Sequence, residues 1–323
     1  MSLFGSLYVG ASGLQTGQNA LNTTAHNLSN VDTKGYTRQQ TLLTDKNYNL
    51  LSVNPKAAAN QQTGLGVTYA DVRQVRDSFL DQKYRKESGR SAFYEVSYNT
   101  LGEVETLLGE LDGESFSESM NDLWEAVQEL AKQPASSVTQ GLLIQRASQF
   151  VEQAGNVYSA LSKYQDNLNN QIKGEVDQIN KYADRLFALN NEIIKIETGG
   201  IERANDLRDE RNQILDALGG YGNISYSEDL NGSVNVKYEG HTLVNATQVF
   251  KVGLDQDSDT GFYTPFWQGD AKKIPQENGT FRYDISNCKV FDLTREISTA
   301  CNTDIGSLKG MLVARGDHRA DYT

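Results

Sequence analysis

The opening thirty residues carry a leucine repeat and contain no Asp, Glu, Lys or Arg. Leucines recur every seven residues, at Leu7, Leu14, Leu21 and Leu28, and the first Asp, Glu, Lys or Arg of the chain is Asp32. A seven-residue apolar period places one narrow stripe along one face of an α-helix. This pattern is typical of a helix that packs lengthwise against other helices.

Four glycines interrupt the same segment, at Gly5, Gly10, Gly13 and Gly17. Each glycine costs a helix roughly 1 kcal/mol relative to alanine. Burial of each leucine returns about 1.5–3 kcal/mol, but only where another surface covers it. We therefore expect a helix over residues 2–31 that is marginal in the lone chain and is completed by neighbouring molecules. The predicted packing residues are Leu3, Leu7, Leu14, Leu21 and Leu28.

Length and charge narrow the possible classes of protein. A chain of 323 residues is too long for one compact core and predicts two or more domains. Its net charge of −12 and its lack of a Lys/Arg cluster argue against binding to nucleic acid or to an anionic membrane. The sequence contains no run of eighteen apolar residues, so we expect no membrane span. Its N-terminus lacks a basic region, so we expect no cleaved signal peptide.

The residue patterns favour neither an enzyme nor a metal or cofactor site. The three histidines lie in separate segments, and no metalloprotease or nucleophile-elbow motif is present. The acidic stretch from Asp255 to Gly261 departs from a calcium loop, which needs glycine at position 6 and glutamate at position 12; we expect a polar loop between strands. Cys288 and Cys301 match no zinc spacing, and both a disulfide and two free thiols remain open.

The middle of the chain predicts a helical region after an extended, irregular segment over residues 36–71. Helical spacing resumes over 72–108. Ser115 with Glu118 forms a capping box for a short helix. The predicted buried face of this short helix comprises Met120, Leu123, Trp124, Val127 and Leu130. A weaker box, Ser137 with Gln140, precedes a helical run from 138 to 197. A turn at Gly199-Gly200 then leads into a returning helix over 201–218. These two runs predict an antiparallel coiled-coil hairpin.

Beyond Gly220 the apolar period changes from that of a helix to that of a strand. Turn sequences at Asp229–Gly232, Glu239–Gly240 and Asn278–Gly279 predict β-hairpins. The predicted fold class is α+β and multidomain: an N-terminal assembly helix, a long antiparallel coiled-coil helical bundle, then an antiparallel all-β domain. The predicted units are 1–71 (axial helix and linker), 72–220 (helical), 221–305 (β) and 306–323 (a truncated segment leading to further domains).

Three short motifs resemble a known group of proteins. The N-terminal motif consists of Asn27, Asn30, Val31, Thr33, Gly35, Tyr36, Arg38 and Gln39. It resembles a signature shared by bacterial flagellar rod, hook and hook-associated proteins. Residues 72–80 are similar to the entry into the helical domain of the members at the hook–filament junction. The third motif resembles the segment before the β domain of those junction members, and comprises Asn205, Asp206, Leu207, Asp209, Arg211, Gln213, Leu215 and Leu218. Hook and rod proteins do not share this third motif.

The resemblance implies a structural subunit of the flagellum. Such subunits are exported unfolded through the flagellar type III channel without a cleaved signal peptide, and they polymerise as a ring that joins hook to filament. The implied partners are identical subunits, the hook protein, an adjoining hook-associated protein or flagellin, and an export chaperone. The resemblance implies no cofactor, nucleic acid or membrane. Two alternatives stay open: a rod or hook protein, and an axial protein whose β domain acts as an adhesin.

Overall fold

The computed structural model describes residues 3–46, 49–52, 61–109, 115–200, 202–275 and 281–317. Within these ranges the helices are α1 (Leu3–Ser29), α2 (Ser78–Leu108), α3 (Phe116–Lys132), α4 (Ser137–Glu197), α5 (Asn205–Tyr221) and α6 (Ser307–Arg315). The strands are β1 (Gln39–Asp45), β2 (Asn49–Ser52), β3 (Gln61–Thr63), β4 (Val67–Gln74), β5 (Ile224–Glu228), β6 (Val234–Tyr238), β7 (His241–Val244), β8 (Val252–Gln256), β9 (Tyr263–Trp267), β10 (Lys272–Pro275) and β11 (Phe281–Asp284). This order confirms the predicted α+β fold class.

Helix α4 is the longest of the described helices. It is one helix of 61 residues, which confirms the predicted run from 138 to 197, and at 1.5 Å per residue it is about 90 Å long. Its second half is buried at three- and four-residue spacing from Leu168 to Ile193. The turn at Gly200, where φ is +65°, leads back into α5, which begins at Asn205 rather than at 201. Residue 201 itself lies outside the described residues.

One hydrophobic core joins the helical and β regions. It contains the buried face of α4 from Leu168 to Leu189, the apolar residues of α5, strands β6 to β9, and Leu308, Met311 and Leu312 of α6. Helix α6 packs against α2 and α4 and ends at Gly316, which has a left-handed conformation. The unit boundaries at 71, 220 and 305 remain predictions, because this core continues across residues 220 and 305.

The β region consists of small antiparallel sheets, as predicted. Strands β5, β6 and β7 form one sheet, while β8 pairs with β9 and β10 with β11. The predicted turns at Asp229–Gly232 and Glu239–Gly240 join β5 to β6 and β6 to β7. Residues 257–262 form the polar loop between β8 and β9. The turn predicted at Asn278–Gly279 lies outside the described residues.

The segment before α2 is more ordered than the sequence indicated. Strand β1 pairs with β4 in antiparallel register, with a bulge at Leu42/Leu43, and β2 pairs with β3. The expectation of an irregular segment is therefore wrong for these residues. Residues 72–74 are strand and not helix, and α2 starts at Ser78 because the Asp77 carboxylate accepts hydrogen bonds from the backbone N–H groups of Phe79 and Leu80.

The first capping prediction is confirmed and the second is wrong. The backbone N–H of Glu118 donates to Ser115 Oγ at 3.0 Å, which caps α3. At the start of α4 the cap position is Ser136, whose side chain makes no capping bond, and the amide of Gln140 donates instead to the Pro134 carbonyl.

The buried face predicted for α3 is also wrong in part. Met120, Trp124 and Val127 are exposed, and Ala126 is the buried residue where α3 packs against α4. Helix α2 shows the same inversion, since Phe79, Tyr84 and Tyr98 face outward while Arg85, Gly89, Phe93 and Thr100 are buried. Tertiary packing, and not hydrophobicity alone, selects the inner faces of these two helices.

Both cysteines are free thiols: Cys288 is buried and Cys301 is exposed. Over the part of the chain that the structure describes, none of the helices is long and apolar enough to cross a membrane.

Candidate assembly surface

The leucine stripe of α1 points away from the rest of the chain. Leu7, Leu14, Leu21 and Leu28 are between 69 and 79 % exposed. The fifth predicted packing residue, Leu3, is the first residue of α1, and its side chain lies outside the described residues. Large exposed apolar side chains arranged in a row on one helix mark a contact surface for another molecule.

The opposite face of α1 is polar and packs on the β1–β4 strand pair. Ser12 and Thr16 are buried, and the backbone N–H of Val67 donates to Ser12 Oγ at 3.2 Å. The Thr41 hydroxyl donates to Thr23 Oγ1 at 2.9 Å. Sequence reasoning missed this contact because a spacing of Ser and Thr along a helix gives no hydrophobic signal. The strand pair thus holds α1 by its polar side and leaves the leucines free.

The glycines of α1 have no packing role within the chain. A Cβ atom added at Gly5, Gly10, Gly13 or Gly17 would meet no described atom within 4 Å. Alanine would therefore fit at all four positions and would favour the helix by about 1 kcal/mol each. Glycine permits close approach of another backbone, but at these four positions no described backbone from outside the helix comes within 4 Å of where the Cβ would stand.

Asn27 of the N-terminal motif fastens the end of α1 to the start of β1. Its Oδ1 accepts hydrogen bonds from the Tyr36 hydroxyl and from the Gln39 backbone N–H, both at 2.8 Å. Its Nδ2 donates to the Gln39 carbonyl at 2.8 Å. A single amide side chain thereby sets the direction in which the chain leaves the helix.

The other residues of the N-terminal motif shape the turn between Asn27 and Gln39. The Thr33 hydroxyl donates to Asn30 Oδ1 at 3.2 Å, and Gly35 has φ of +83°, a conformation that favours glycine. The Arg38 carbonyl accepts from the Val75 N–H, while Val31 is exposed. The motif therefore forms a turn held by specific hydrogen bonds at the end of α1.

The structure brings the N-terminal and the third motif together. The Thr37 N–H donates to Asp209 Oδ2 at 3.2 Å, and the Gln74 amide donates to Asp209 Oδ1 at 2.7 Å. The Asn205 amide donates to the Val72 carbonyl, and the Gln213 amide donates to the Lys34 carbonyl. We call these contacts the motif junction. They tie the module of α1 and β1–β4 to α5 across 172 residues of sequence.

The motif junction is polar and partly shielded from water. Burial is the main cause that raises the pKa of Asp209, and burial with the nearby charges of Asp209 and Asp206 raises the pKa of Tyr36. A Cβ at Gly35 would lie 2.1 Å from the Gln213 side chain. This close approach explains why a residue without a side chain stands beside α5.

The remaining residues of the third motif serve other contacts. Arg211 is buried, donates to the Gly232 carbonyl at 2.6 Å and pairs with Glu228 at 3.2 Å, so it holds the β5–β6 turn. Leu215 and Leu218 lie in the core, Leu207 packs against it, and Asp206 is exposed. Sequence reasoning did not single out Gln74 or Thr37, although Gln74 falls within the similar stretch 72–80.

The exposed leucine face of α1 is suited to association with another molecule. Among the described residues, no group of three His, Cys, Asp or Glu side chains is placed to hold a metal ion. The candidate site is therefore the exposed leucine face of α1, positioned by the strand pair and by the motif junction.

Comparisons with known proteins find similarity to flagellar proteins in two parts of the chain. Residues 101–281 match the family model described as the helical domain of the flagellar hook-associated protein FlgK, and residues 7–37 match the model of the flagella basal body rod protein. The chain is 29 % identical to flagellar hook-associated protein 1 of Bacillus subtilis (strain 168) over 232 residues, which is 72 % of this chain and 45 % of that protein. It is also 29 % identical to flagellar hook-associated protein 1 of Salmonella typhimurium over 73 % of this chain and 42 % of that protein.

A solved structure shares the fold. The flagellar hook junction protein FlgK from Burkholderia pseudomallei matches with a TM-score of 0.54 and 17 % identity, over 74 % of this chain and 39 % of that one. The present chain spans less than half the length of the curated relatives it matches.

Proposed function

Because this chain belongs to the family of the flagellar hook-associated protein FlgK, we propose that it is a structural subunit of the bacterial flagellum at the junction between hook and filament. The observation that carries the proposal is the leucine stripe of α1, four residues at seven-residue spacing that the described part of the chain leaves largely exposed. In the assembled ring, neighbouring subunits cover this stripe. The match to the helical domain favours a junction protein over a rod or hook protein, whose shared signature covers only the N-terminal residues.

The cost of the four helix glycines supports assembly by close helix contact. They weaken α1 by roughly 4 kcal/mol in total relative to alanine, and a Cβ added at any of them would meet no described atom within 4 Å. Leucine burial against a neighbour would offset this cost, since each leucine contributes about 1.5–3 kcal/mol once covered. A helix of this kind forms firmly only in the polymer, which suits a subunit exported as an unfolded chain.

The outward apolar faces of α2, α3 and the first half of α4 supply the lateral contacts. They include Tyr98 and Leu101 on α2, Met120 and Trp124 on α3, and Ile144 on α4, all at least half exposed. The unit over residues 75–218 then packs between subunits, while the β region faces outward. The hook protein and an adjoining hook-associated protein or flagellin are the axial partners, and an export chaperone acts before assembly in the extracellular flagellum.

Replacement of Leu14 and Leu21 by Asp in the full-length protein tests the proposal. The double variant should keep its helical signal in circular dichroism, because both side chains are exposed in the single chain. It should fail to enter flagella in a strain that lacks its own copy, because the change places two carboxylates in a surface that must be desolvated. Motility and the subunit content of purified flagella give the readout.

A matched control places the same charges beside the stripe. Gln15→Asp with Asn22→Asp keeps the seven-residue spacing on exposed positions of α1, about a quarter of a helical turn away from Leu14 and Leu21. This control should enter flagella near the parent level. Normal incorporation of the leucine variant would remove the proposal.

A further inference from the structure

Three asparagines of α4 each reach the backbone of a different strand of the β region. They are Asn169, Asn180 and Asn190, and their spacings of 11 and 10 residues correspond to about three helical turns each. At 3.6 residues per turn the three side chains leave the helix within an arc of about 80°, so they lie on one side of α4. We call them the asparagine row.

Asn180 and Asn190 each make two hydrogen bonds to a single strand residue. The Val234 N–H, at the start of β6, donates to Asn190 Oδ1 at 3.1 Å, and Asn190 Nδ2 donates to the Val234 carbonyl at 2.9 Å. The Val252 N–H, at the start of β8, donates to Asn180 Oδ1 at 3.0 Å, and Asn180 Nδ2 donates to the Val252 carbonyl at 2.8 Å. An asparagine amide carries an acceptor oxygen and N–H donors, as a peptide group does, so each side chain pairs with a strand edge as a further strand would.

Asn169 binds β9 in a similar way and shares this strand with α6. The Tyr263 N–H donates to Asn169 Oδ1 at 2.8 Å, and Asn169 Nδ2 donates to the Gly261 carbonyl at 3.1 Å. Arg315 of α6, which is only 1 % exposed, donates to the same Asn169 oxygen at 2.6 Å and to the Tyr263 carbonyl at 2.9 Å. The third contact of the row therefore joins α4, α6 and β9.

These directional contacts matter because apolar packing alone does not fix how the strands align along the helix. Helix α4 and the strands share one hydrophobic core, whose stabilisation depends on buried area and not on direction. The ion pair of Lys251 with Asp184, at 2.9 Å, also joins the two, but both side chains are about half exposed and such pairs contribute little. Asn169 and Asn190 are buried, so a shift of the strands along α4 would leave buried amide groups without partners, which is costly.

We propose that the asparagine row fixes the position of the β region along α4, so that the helix and the β region move as one rigid body. A slide or a rotation of the β region breaks the contacts at β6, β8 and β9 together. The β region therefore keeps one orientation relative to the long helix. The inference concerns the single chain, and it does not rest on the proposed flagellar function.

Amide hydrogen exchange on the purified chain tests the individual contacts. Asn180→Ala removes the acceptor of the Val252 N–H, and we expect this amide to exchange about tenfold faster relative to the amides of α4, with Val234 changed less. Asn190→Ala should have the reverse pattern. The matched control is Asn170→Ala, an exposed asparagine of the same helix, which should leave both strand amides at the parent rate.

The distance between α4 and the β region tests the rigid body itself. Spin labels at Lys163→Cys and Lys237→Cys, both exposed, are measured by pulsed electron paramagnetic resonance with Cys301→Ser, since the other cysteine is buried. Lys163 precedes Asn190 by 27 residues on α4, about 40 Å, so a small rotation of the β region changes the distance measurably. We expect one narrow distance distribution in the parent and one about twice as wide after Asn180→Ala with Asn190→Ala.

A control with the same number of substitutions is Asn167→Ala with Asn170→Ala, both exposed on α4, which should keep the narrow distribution. A narrow distribution in the folded double variant of the row would show that the apolar core alone sets the position, and the proposal would be wrong. An unchanged exchange rate of Val252 in Asn180→Ala would contradict it as well. If the double variant does not fold, the same labels in Asn180→Ala decide, with broadening expected and an unchanged width against the proposal. Both measurements use the isolated chain, so their failure leaves the incorporation experiment unaffected.

Discussion

At the scale of single residues, glycine has two opposite roles in this chain, and the surrounding atoms decide between them. A Cβ at Gly89, in the middle of α2, would lie 2.4 Å from the Gly219 carbonyl oxygen and 2.7 Å from Ile305. The Gly89 carbonyl also accepts a hydrogen bond from the Gly306 N–H at 2.9 Å. Gly102, about three and a half turns further along the same helix, would place its Cβ in open space. The first glycine permits a helix crossing, and the second only weakens the helix.

These two positions give a paired prediction. Gly89→Ala should lower the free energy of unfolding by about 1–3 kcal/mol, because the α2–α5 crossing must open. Gly102→Ala should raise it by about 0.5–1 kcal/mol through helix propensity. Urea unfolding of both variants beside the parent measures the two shifts. If both variants changed the free energy of unfolding equally and in the same direction, the α2–α5 crossing would be less tightly packed than the described contacts indicate.

At the scale of elements, periodicity indicated which segments are helical but not which face is buried. The long run of α4 was predicted to within one residue at its start, since its second half repeats apolar residues at three- and four-residue spacing. In α2 most of the large apolar side chains face outward. The inner face is formed by Phe93, Gly89 and the buried Arg85, which pairs with Asp216 at 2.7 Å. Arg85 and Gly89 carry no hydrophobic signal, so no pattern of leucines could reveal that face.

The motif junction yields a prediction at the same scale. Asp209→Ala removes the acceptor of both the Thr37 N–H and the Gln74 amide, a loss of about 1.5–3 kcal/mol in the attachment of the N-terminal module. We expect limited proteolysis to cut between residues 30 and 75 roughly tenfold faster, with the urea midpoint of the helical body little changed.

The matched control for the junction is Asp206→Ala. Asp206 is exposed one turn earlier on α5, so its removal should leave the cleavage rate near that of the parent. Equal rates for Asp209→Ala and the parent would mean that the attachment rests on other contacts.

At the scale of the whole molecule, stability is concentrated away from the N-terminus. The hydrophobic core of the described residues runs from Leu168 to Leu312, and it includes none of the described side chains of α1, β1 or β4. The N-terminal module is held by hydrogen bonds and ion pairs such as Arg203–Asp71 at 2.7 Å. A region with few buried apolar contacts opens locally at lower free energy than the core.

Amide hydrogen exchange on the dilute monomer tests this distribution. We expect α1 to exchange well ahead of global unfolding, and the slowest amides to lie between Leu168 and Ile193 of α4. Assembly should then slow exchange in α1 selectively, because neighbours cover its leucines. If α1 of the monomer were as slow as α4, the helix would already be complete without partners.

The sequence by itself indicated helices α1 to α5, the strands after residue 220, the leucine stripe of α1 and the association role, since these depend on local spacing along the chain. Only the tertiary structure showed that β1 and β4 support the polar side of α1 and that two distant motifs meet at Asp209. It also decided which faces of α2 and α3 are buried. Hydrogen bonds between side chains far apart in sequence leave no periodic trace, and the packing of one helix on another depends on the shapes of both.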